Sequence, residues 1–310
     1  MEHKFIRHIV KAKPVVKFIK ASRKIILPGF EGLSLYIVSK FFLQGLIKGT
    51  INMRATSLAF SFFLALFPSI IFLFTLIPFI PIDNFQDNLL DILKNLMPHS
   101  AFEATEDTIT DIVKNQRGDL LSVGFFTALY FSTNGFNAMI NSFNESYHES
   151  ETRSVLHQRL VSLLLVIITV VLVCIAIGMI VFSEYSFTLL LDNDSALYYL
   201  LLFGKWIILV LLCFTFISFN YYLGPKRKSR WKFFSVGSYF ATVLTVISSI
   251  GFSYYVNNFG NYNKLYGSIG TLIVVMLWLY INSLILLLGL DLNASIRLAK
   301  KQQKAFQNRV

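Results

Sequence analysis

Histidine and carboxylate side chains carry much of hydrolytic chemistry, and this chain holds only five histidines. A two-metal hydrolase needs several such ligands converging on one point. The sequence has no His-x-His pair with a neighbouring Asp and no Walker or Ser-His-Asp pattern. The nearest grouping is a polar loop, for which a solvated surface is favoured over a metal site: Glu145, His148, Glu149, Glu151 and His157. We therefore expect no enzyme activity, no metal and no cofactor.

Four asparagines recur in one apolar segment at spacings of three, four and three: Asn134, Asn137, Asn141 and Asn144. In a helix these spacings place all four carboxamides on one face. An unpaired amide is costly in lipid, so this face is expected to meet protein or water. Two interpretations stay open, because the asparagines either line a hydrated path or form hydrogen bonds that only pack the helices.

Small hydroxyl residues form a second polar face in a later segment: Ser235, Ser238, Thr242, Thr245 and Ser249. Such residues are ordinary packing devices between membrane helices, and packing is the favoured interpretation. In the first long apolar segment, Pro68 lacks the N–H that would bond the carbonyl of Leu64. Thr242, Thr245 and Pro68 are nevertheless candidates, with the four asparagines, for lining a path.

Arg54, Arg153 and Asp291 lie at the ends of three apolar segments that are expected to meet on one side. They are predicted to form an ion-pair cluster. Such a cluster either gates that side or staples it, and stapling is favoured because an ion pair by itself says little about function.

The composition shows which elements must position these residues. Of the 310 residues, 55% are hydrophobic and only 15% are charged, with a mean hydropathy of +0.61. Soluble domains carry roughly 25% charged residues. The sequence therefore predicts an all-α, polytopic membrane protein whose partner is the lipid bilayer.

Six segments are long enough to cross about 30 Å of hydrocarbon as helices. A further stretch, residues 33–48, is shorter and contains Lys40, which favours an amphipathic helix lying in the membrane interface. The predicted spans are residues 55–79, 120–143, 160–183, 197–223, 233–256 and 268–290.

The distribution of charge predicts the orientation of this six-helix bundle. With the N-terminus inside, 23 of the 28 Lys and Arg residues fall on the cytoplasmic side, and 11 of the 17 acidic residues fall outside. Positive charge is enriched in cytoplasmic loops, so both termini are predicted to be cytoplasmic. The net charge of +11 then reflects orientation and anionic lipids at the inner face rather than nucleic acid.

Three segments outside the spans complete the predicted organisation into a basic N-terminal part, a membrane domain and a basic tail. Residues 1–32 are basic, and a surface helix on anionic lipid and a disordered tail remain alternatives. Residues 80–118 are predicted to form an external helical hairpin, with a capping box at Ser100 and Glu103. Residues 294–310 are predicted to form a basic cytoplasmic tail. The sequence leaves open whether the protein forms a homo-oligomer.

Several motifs resemble the YihY/virulence factor BrkB family. They include Arg54-Ala-Thr-Ser-Leu-Ala-Phe, residues 137–147, Tyr255-Val-Asn-Asn-Phe-Gly-Asn-Tyr and Gly289-Leu-Asp-Leu-Asn-Ala. The resemblance covers most of the chain from the first span onward. It implies a bacterial plasma-membrane protein with six spans. Members of this family long carried the label ribonuclease BN, which belongs to an unrelated soluble metal-dependent enzyme.

Two functional hypotheses follow from the polar content of the spans. The leading one is a transporter-like or channel-like bundle for a polar solute, an ion or a lipid, with a path between the second and fifth spans beside Pro68. The alternative is a non-transporting protein of envelope integrity, a scaffold whose external hairpin and basic tails recruit partners or lipids. A nuclease is disfavoured.

Overall fold

The computed structural model describes residues 20–48, 50–79, 86–87, 90, 106, 109–146, 153–190, 196–226, 233–258 and 268–307. Helices dominate these residues, and no strand occurs among them. The all-α prediction is confirmed. The helices are α1 (Leu35–Lys48), α2 (Ile51–Leu76, then a 3-10 turn, Ile77–Phe79), α3 (Gly118–Ser146), α4 (Val155–Leu190), α5 (Ala196–Leu223), α6 (Val236–Asn258) and α7 (Ser268–Gln307).

Long apolar helices confirm the polytopic membrane architecture. Within the described part of the chain, five segments are long and apolar enough to cross a membrane: Ile51–Phe79, Val155–Ile180, Tyr199–Leu223, Val236–Val256 and Gly270–Gln307. Helix α3 has 29 residues, or about 43 Å at 1.5 Å per residue, but its four asparagines lower its apolar character. Helix α3, which corresponds to the predicted span at residues 120–143, is therefore long enough to cross a membrane but is not among the five apolar segments. That it spans the membrane remains a prediction.

The six long helices form a ring in which each packs against the next, and α7 closes it against α2. Helix α7 also contacts α3. Helices α3 and α6, which contain the second and fifth predicted spans, are not neighbours in this ring and are separated by two helices on either side. The starts of α2, α4 and α6 and the ends of α3 and α5 lie together. We call this the basic end, because it holds Arg54, Arg153, Arg159 and Lys226.

The main apolar core fills the half of the bundle nearest the basic end. Leu58 of α2, Phe143 of α3, Leu165 of α4, Tyr221 of α5 and Leu287 of α7 are each almost fully buried in it. Side chains from all six long helices meet there. This half of the bundle is therefore closed by tight packing.

A second apolar cluster joins the N-terminal segment to the far part of α7. Leu33 and Val38 pack on Leu292 and Ile296, and Glu31 forms an ion pair with Lys300. The predicted tail at 294–310 is thus helical as far as Gln307. No Gly or Pro follows residue 289 that would end α7 earlier. The apolar face of this part of α7 packs against α1 and the residues before it.

The predicted external hairpin falls mostly outside the described residues, including its capping box at Ser100 and Glu103. Residues 109–117 are described; Val113 is buried there, and Gln116 donates a hydrogen bond to the carbonyl of Pro78. The hydrogen bond from Gln116 shows that this segment returns to the end of α2. Within the segment, hydrogen bonds from Arg117 lower the pKa of Asp111. Residues 1–19 also lie outside the described part.

Candidate functional site

Arg54 joins three helices at the basic end. From the first turn of α2 it donates to the carbonyl of Ser142 at 2.9 Å and to Oγ of Ser146 at 2.5 Å, both on α3. It also lies 3.2 Å from Oδ2 of Asp291 on α7, and both charged side chains are about one-tenth exposed. Glu145 stands further away, at 4.0 Å, and is largely exposed. The result is one buried ion pair at the closed end of the bundle.

Arg153, the third member of the predicted cluster, makes its described contact elsewhere. It donates to the carbonyl of Gly224 at 2.8 Å and so ties the start of α4 to the end of α5. Beside it, Oδ1 of Asn144 accepts from the backbone N–H of Lys226 at 3.0 Å. These bonds satisfy backbone groups that the ends of helices leave open.

Three of the four predicted asparagines face α4. Oδ1 of Asn134 accepts from Arg159 at 2.5 Å, and Gln158 donates to Oδ1 of Asn137 at 2.5 Å and to Oδ1 of Asn141 at 2.8 Å. Asn141 is exposed and the other two are half-buried. We call these five residues the α3–α4 seam. It lies beside the apolar core, on the side of α3 next to Phe136, Ile140 and Phe143.

Gln158 and Arg159 are not among the residues that the sequence singles out. The predicted third span begins at residue 160, which places both residues in a loop, whereas α4 begins at Val155. Gln158 and Arg159 then lie on its first two turns. A sequence signal did exist, since two long polar side chains precede the apolar run at the point where α4 folds back along α3.

Close contact between α6 and α7 positions Asp291. A Cβ added to Gly237 would lie 2.0 Å from the carbonyl oxygen of Gly289, so only glycine fits this crossing. One turn away, Oδ1 of Asn293 accepts from the backbone N–H of Gly237 at 2.8 Å. The Tyr221 hydroxyl of α5 donates to the carbonyl of Leu286 at 2.6 Å. The three helices are therefore held in a defined register.

The hydroxyl stripe of α6 bonds mainly to its own helix. Thr242 is buried and donates to the carbonyl of Ser238, and Ser249 donates to that of Thr245. Thr245 itself is half-buried. The buried part of the stripe packs, and the part beyond Thr242 is more accessible.

Pro68 does not stand beside the asparagines. Gly135 of α3 lies against Phe62, and Gly124 lies against Phe72, so the level of Pro68 on α3 falls between these glycines. Pro68 is half-buried, and the neighbouring Ser69 bonds the carbonyl of Ala65. The structure thus separates Pro68 from Asn137 and Asn141.

Burial changes along the least exposed face of each of four helices. On α5, Ile217 is buried, whereas Leu209 and Lys205, two and three turns further from the basic end, are half-buried. On α6, Ala241 is buried and Thr245 is half-buried. Helices α4 and α7 change in the same sense, from Leu165 to Thr169 and Leu172 and from Ser283 to Leu279 and Met276. Among the described side chains, these four helices are therefore less buried away from the basic end.

No group of three or more His, Cys, Asp or Glu close enough to hold a metal ion occurs among the described residues. Of the candidate loop, Glu145 and His157 are described and exposed. His148, Glu149 and Glu151 lie outside the described residues.

Taken together, the fold and the buried polar contacts define an all-helical, multi-pass membrane protein. The sequence profile described as virulence factor BrkB matches residues 42–309, and the chain belongs to that family. The resemblance found in the sequence is thereby confirmed, and Arg54, Gly289, Asp291 and Asn293 from the resembling segments lie close together at the basic end.

Relatives with similar sequences carry two kinds of name. A Bacillus subtilis protein named ribonuclease-like protein YfkH is 34% identical over 251 residues, covering 80% of this chain and 90% of that protein. A UPF0761 membrane protein of Vibrio campbellii is 24% identical, covering 83% and 81%. Another, from Haemophilus influenzae, is 24% identical, covering 80% and 91%. No solved structure matches the chain.

Proposed function

We propose that this protein is a transporter-like bundle for a polar solute, an ion or a lipid, closed at the basic end and accessible from the opposite end. The observation that carries the proposal is the change in burial along α4, α5, α6 and α7. A bundle built only for packing would be expected to bury its inward faces evenly. On these four helices the buried side chains among the described residues lie toward the basic end.

The half that we propose to be accessible holds polar groups. Lys205 lies on the same stripe of α5 as Leu209, and Thr245 and Ser249 lie on the corresponding stripe of α6. Polar residues inside a membrane tend to face protein or water rather than lipid. We therefore place the first contacts of a substrate here, and we move the proposed path from the asparagines of α3 to α4–α7.

Closure is assigned to the contacts around Arg54. The ion pair with Asp291 joins α2 to α7, and Tyr221 joins α5 to α7. An alternating bundle must break contacts of this kind to open its second side. We propose the Arg54–Asp291 pair as a gate, with Arg153 as a staple between α4 and α5.

Thiol labelling tests the proposed opening. Cys174 and Cys213 are first replaced by Ser, and a single cysteine is placed at Thr245, Ala241 or Ile247. A membrane-impermeant thiol reagent is added to proteoliposomes from the side opposite the basic end. Thr245→Cys is expected to react because water reaches it, Ala241→Cys is not because it is buried, and Ile247→Cys is not because its exposed face meets lipid.

Equal and negligible labelling of Thr245→Cys and Ala241→Cys in folded protein would contradict the proposal. If the pair is a gate, Asp291→Asn is expected to make Ala241→Cys reactive. Unchanged protection of Ala241→Cys in that variant would leave Arg54 and Asp291 as a staple.

The tightly packed core favours one second candidate, a non-transporting scaffold of the envelope. Its distinctive element is the helical platform formed by α1 and the far part of α7, joined by Glu31 and Lys300. Under this alternative, none of the three cysteines would react, and the basic N-terminal segment would bind anionic lipid or partners.

We place the protein in the bacterial plasma membrane with its basic end in the cytoplasm, following the charge distribution. The name of the Bacillus relative raises ribonuclease activity for this chain as well. We do not propose catalysis. Metal-dependent cleavage of RNA by purified protein that is lost in His157→Ala would require this view to change.

A further inference from the structure

Within the α3–α4 seam, most hydrogen-bond acceptors of the side chains already accept a bond, whereas few of the donors make one. The Oδ1 atoms of Asn134, Asn137 and Asn141 accept from Arg159 and Gln158. Each asparagine keeps an NH₂ group with no described partner, and four of the five guanidinium N–H groups of Arg159 make no described bond. The accessible hydrogen-bonding groups of the seam are therefore predominantly donors.

The charge of the seam has the same sign as its donors. Among the residues that the structure describes, no carboxylate lies within ion-pair distance of Arg159. Glu145, one turn beyond Asn141 on α3, lies 4.0 Å from Nε of Arg54. Arg159 is a half-buried cation whose one described partner is the neutral amide of Asn134, so it is suited to bind an anion. The amide oxygen of Asn134 already accepts from Arg159 and does not compete for that anion.

Exposed, mostly apolar side chains continue from this polar seam along the same helices. Val123, three turns from Asn134 along the same face of α3, is 62% exposed, and Tyr130 between them is 58% exposed. On α4, Leu156 is 72% exposed beside Arg159. A charged seam next to an apolar surface matches a molecule with an anionic head and hydrocarbon chains.

We propose that the α3–α4 seam binds a phosphoryl group, with Arg159 as its cation and the carboxamides of Asn134, Asn137 and Asn141 as further donors. The planar guanidinium fork matches two phosphate oxygens at once. In the membrane the group belongs to an anionic phospholipid, because the site opens beside the apolar surface; inorganic phosphate is the other source of the same chemistry. The site is separate from the inward faces of α4–α7 and does not depend on transport.

Retention of lipid measured by native mass spectrometry tests the site. The full-length protein is taken from nanodiscs of phosphatidylcholine with a minority of phosphatidylglycerol. Wild type is expected to retain phosphatidylglycerol, and Arg159→Gln is expected to reduce the retained fraction about tenfold, in line with the strength of hydrogen bonds to charged groups. Lys301→Gln, an exposed basic residue on α7, serves as the control and should retain lipid as wild type does.

A second arm titrates inorganic phosphate into delipidated protein and follows it by ³¹P line broadening. Phosphate binding that requires Arg159, with no retained lipid, supports the site and assigns it to free phosphate. If Arg159→Gln folds poorly, Asn141→Asp at the exposed edge supplies a carboxylate that should expel the ligand. Retention and phosphate binding that are equal in wild type, Arg159→Gln and Asn141→Asp would overturn the proposal, as would binding in neither arm.

Discussion

At the scale of residues, Arg54 shows how one side chain can fix an end of a membrane bundle. Its guanidinium reaches the last turn of α3 and Asp291 of α7 from the first turn of α2. A charge taken out of water needs such partners, because an unpaired one is very costly to bury. The pair is therefore specific in a way that exposed pairs are not.

Removing one partner of this pair should expose the difference. Asp291→Ala is expected to lower stability by about 3 kcal/mol, since it leaves Arg54 buried and unpaired. Asp87→Ala removes an exposed pair with Lys114 and should cost about 0.5 kcal/mol. Thermal unfolding midpoints in one detergent provide the measurement, and equal midpoints for the two variants would contradict the assignment of Arg54 as a buried hub.

At the scale of elements, the crossing of α6 and α7 depends on the absence of a side chain. Gly237 and Gly289 bring the two backbones into contact, and Asn293 then reaches the first turn of α6. Close approach through small residues is a common source of helix association in membranes. The same crossing sets the height of Asp291 opposite Arg54.

Alanine substitutions on one helix can separate this effect from helix propensity. Gly237→Ala is expected to reduce the folded yield strongly, because its Cβ would overlap the carbonyl of Gly289. Gly251→Ala, also on α6, meets nothing within 4 Å and should be neutral or stabilising by up to about 1 kcal/mol. Yield and thermal midpoint by size-exclusion chromatography report both. A tolerated Gly237→Ala would show that the helices do not approach this closely.

At the scale of the whole molecule, the ring of six long helices has its main apolar core in the half nearest the basic end, and the described side chains of α4–α7 are less buried beyond it. Helix α3 belongs to this ring although it is less apolar than its neighbours, because Arg159 and Gln158 pair with its asparagines. Pairing of this kind offsets the cost of polar groups in lipid.

Reporter fusions test the resulting topology. If α3 crosses the membrane, reporters after residue 310 and within residues 227–232 should both be cytoplasmic, and one within residues 191–195 should be external. Alkaline phosphatase and a fluorescent protein that folds only in the cytoplasm give opposite signals at each position. External activity of a fusion after residue 310 would contradict the predicted six spans.

Composition and periodicity alone determined the helical membrane architecture, because the length and apolar character of a segment are local properties of the chain. The family was also evident from local motifs such as Gly289-Leu-Asp-Leu-Asn-Ala. For the same reason the asparagine face of α3 was predictable, because the spacing of the asparagines within one helical segment determines that they share a face.

Only the tertiary structure decided what each polar face meets. The spacing of Asn134, Asn137 and Asn141 does not say that Gln158 and Arg159 will oppose them, since that depends on how α4 is placed along α3. Likewise, nothing local brings Arg54 to Asp291 and sends Arg153 to Gly224. Such contacts join residues far apart in the chain, and packing among six helices selects them.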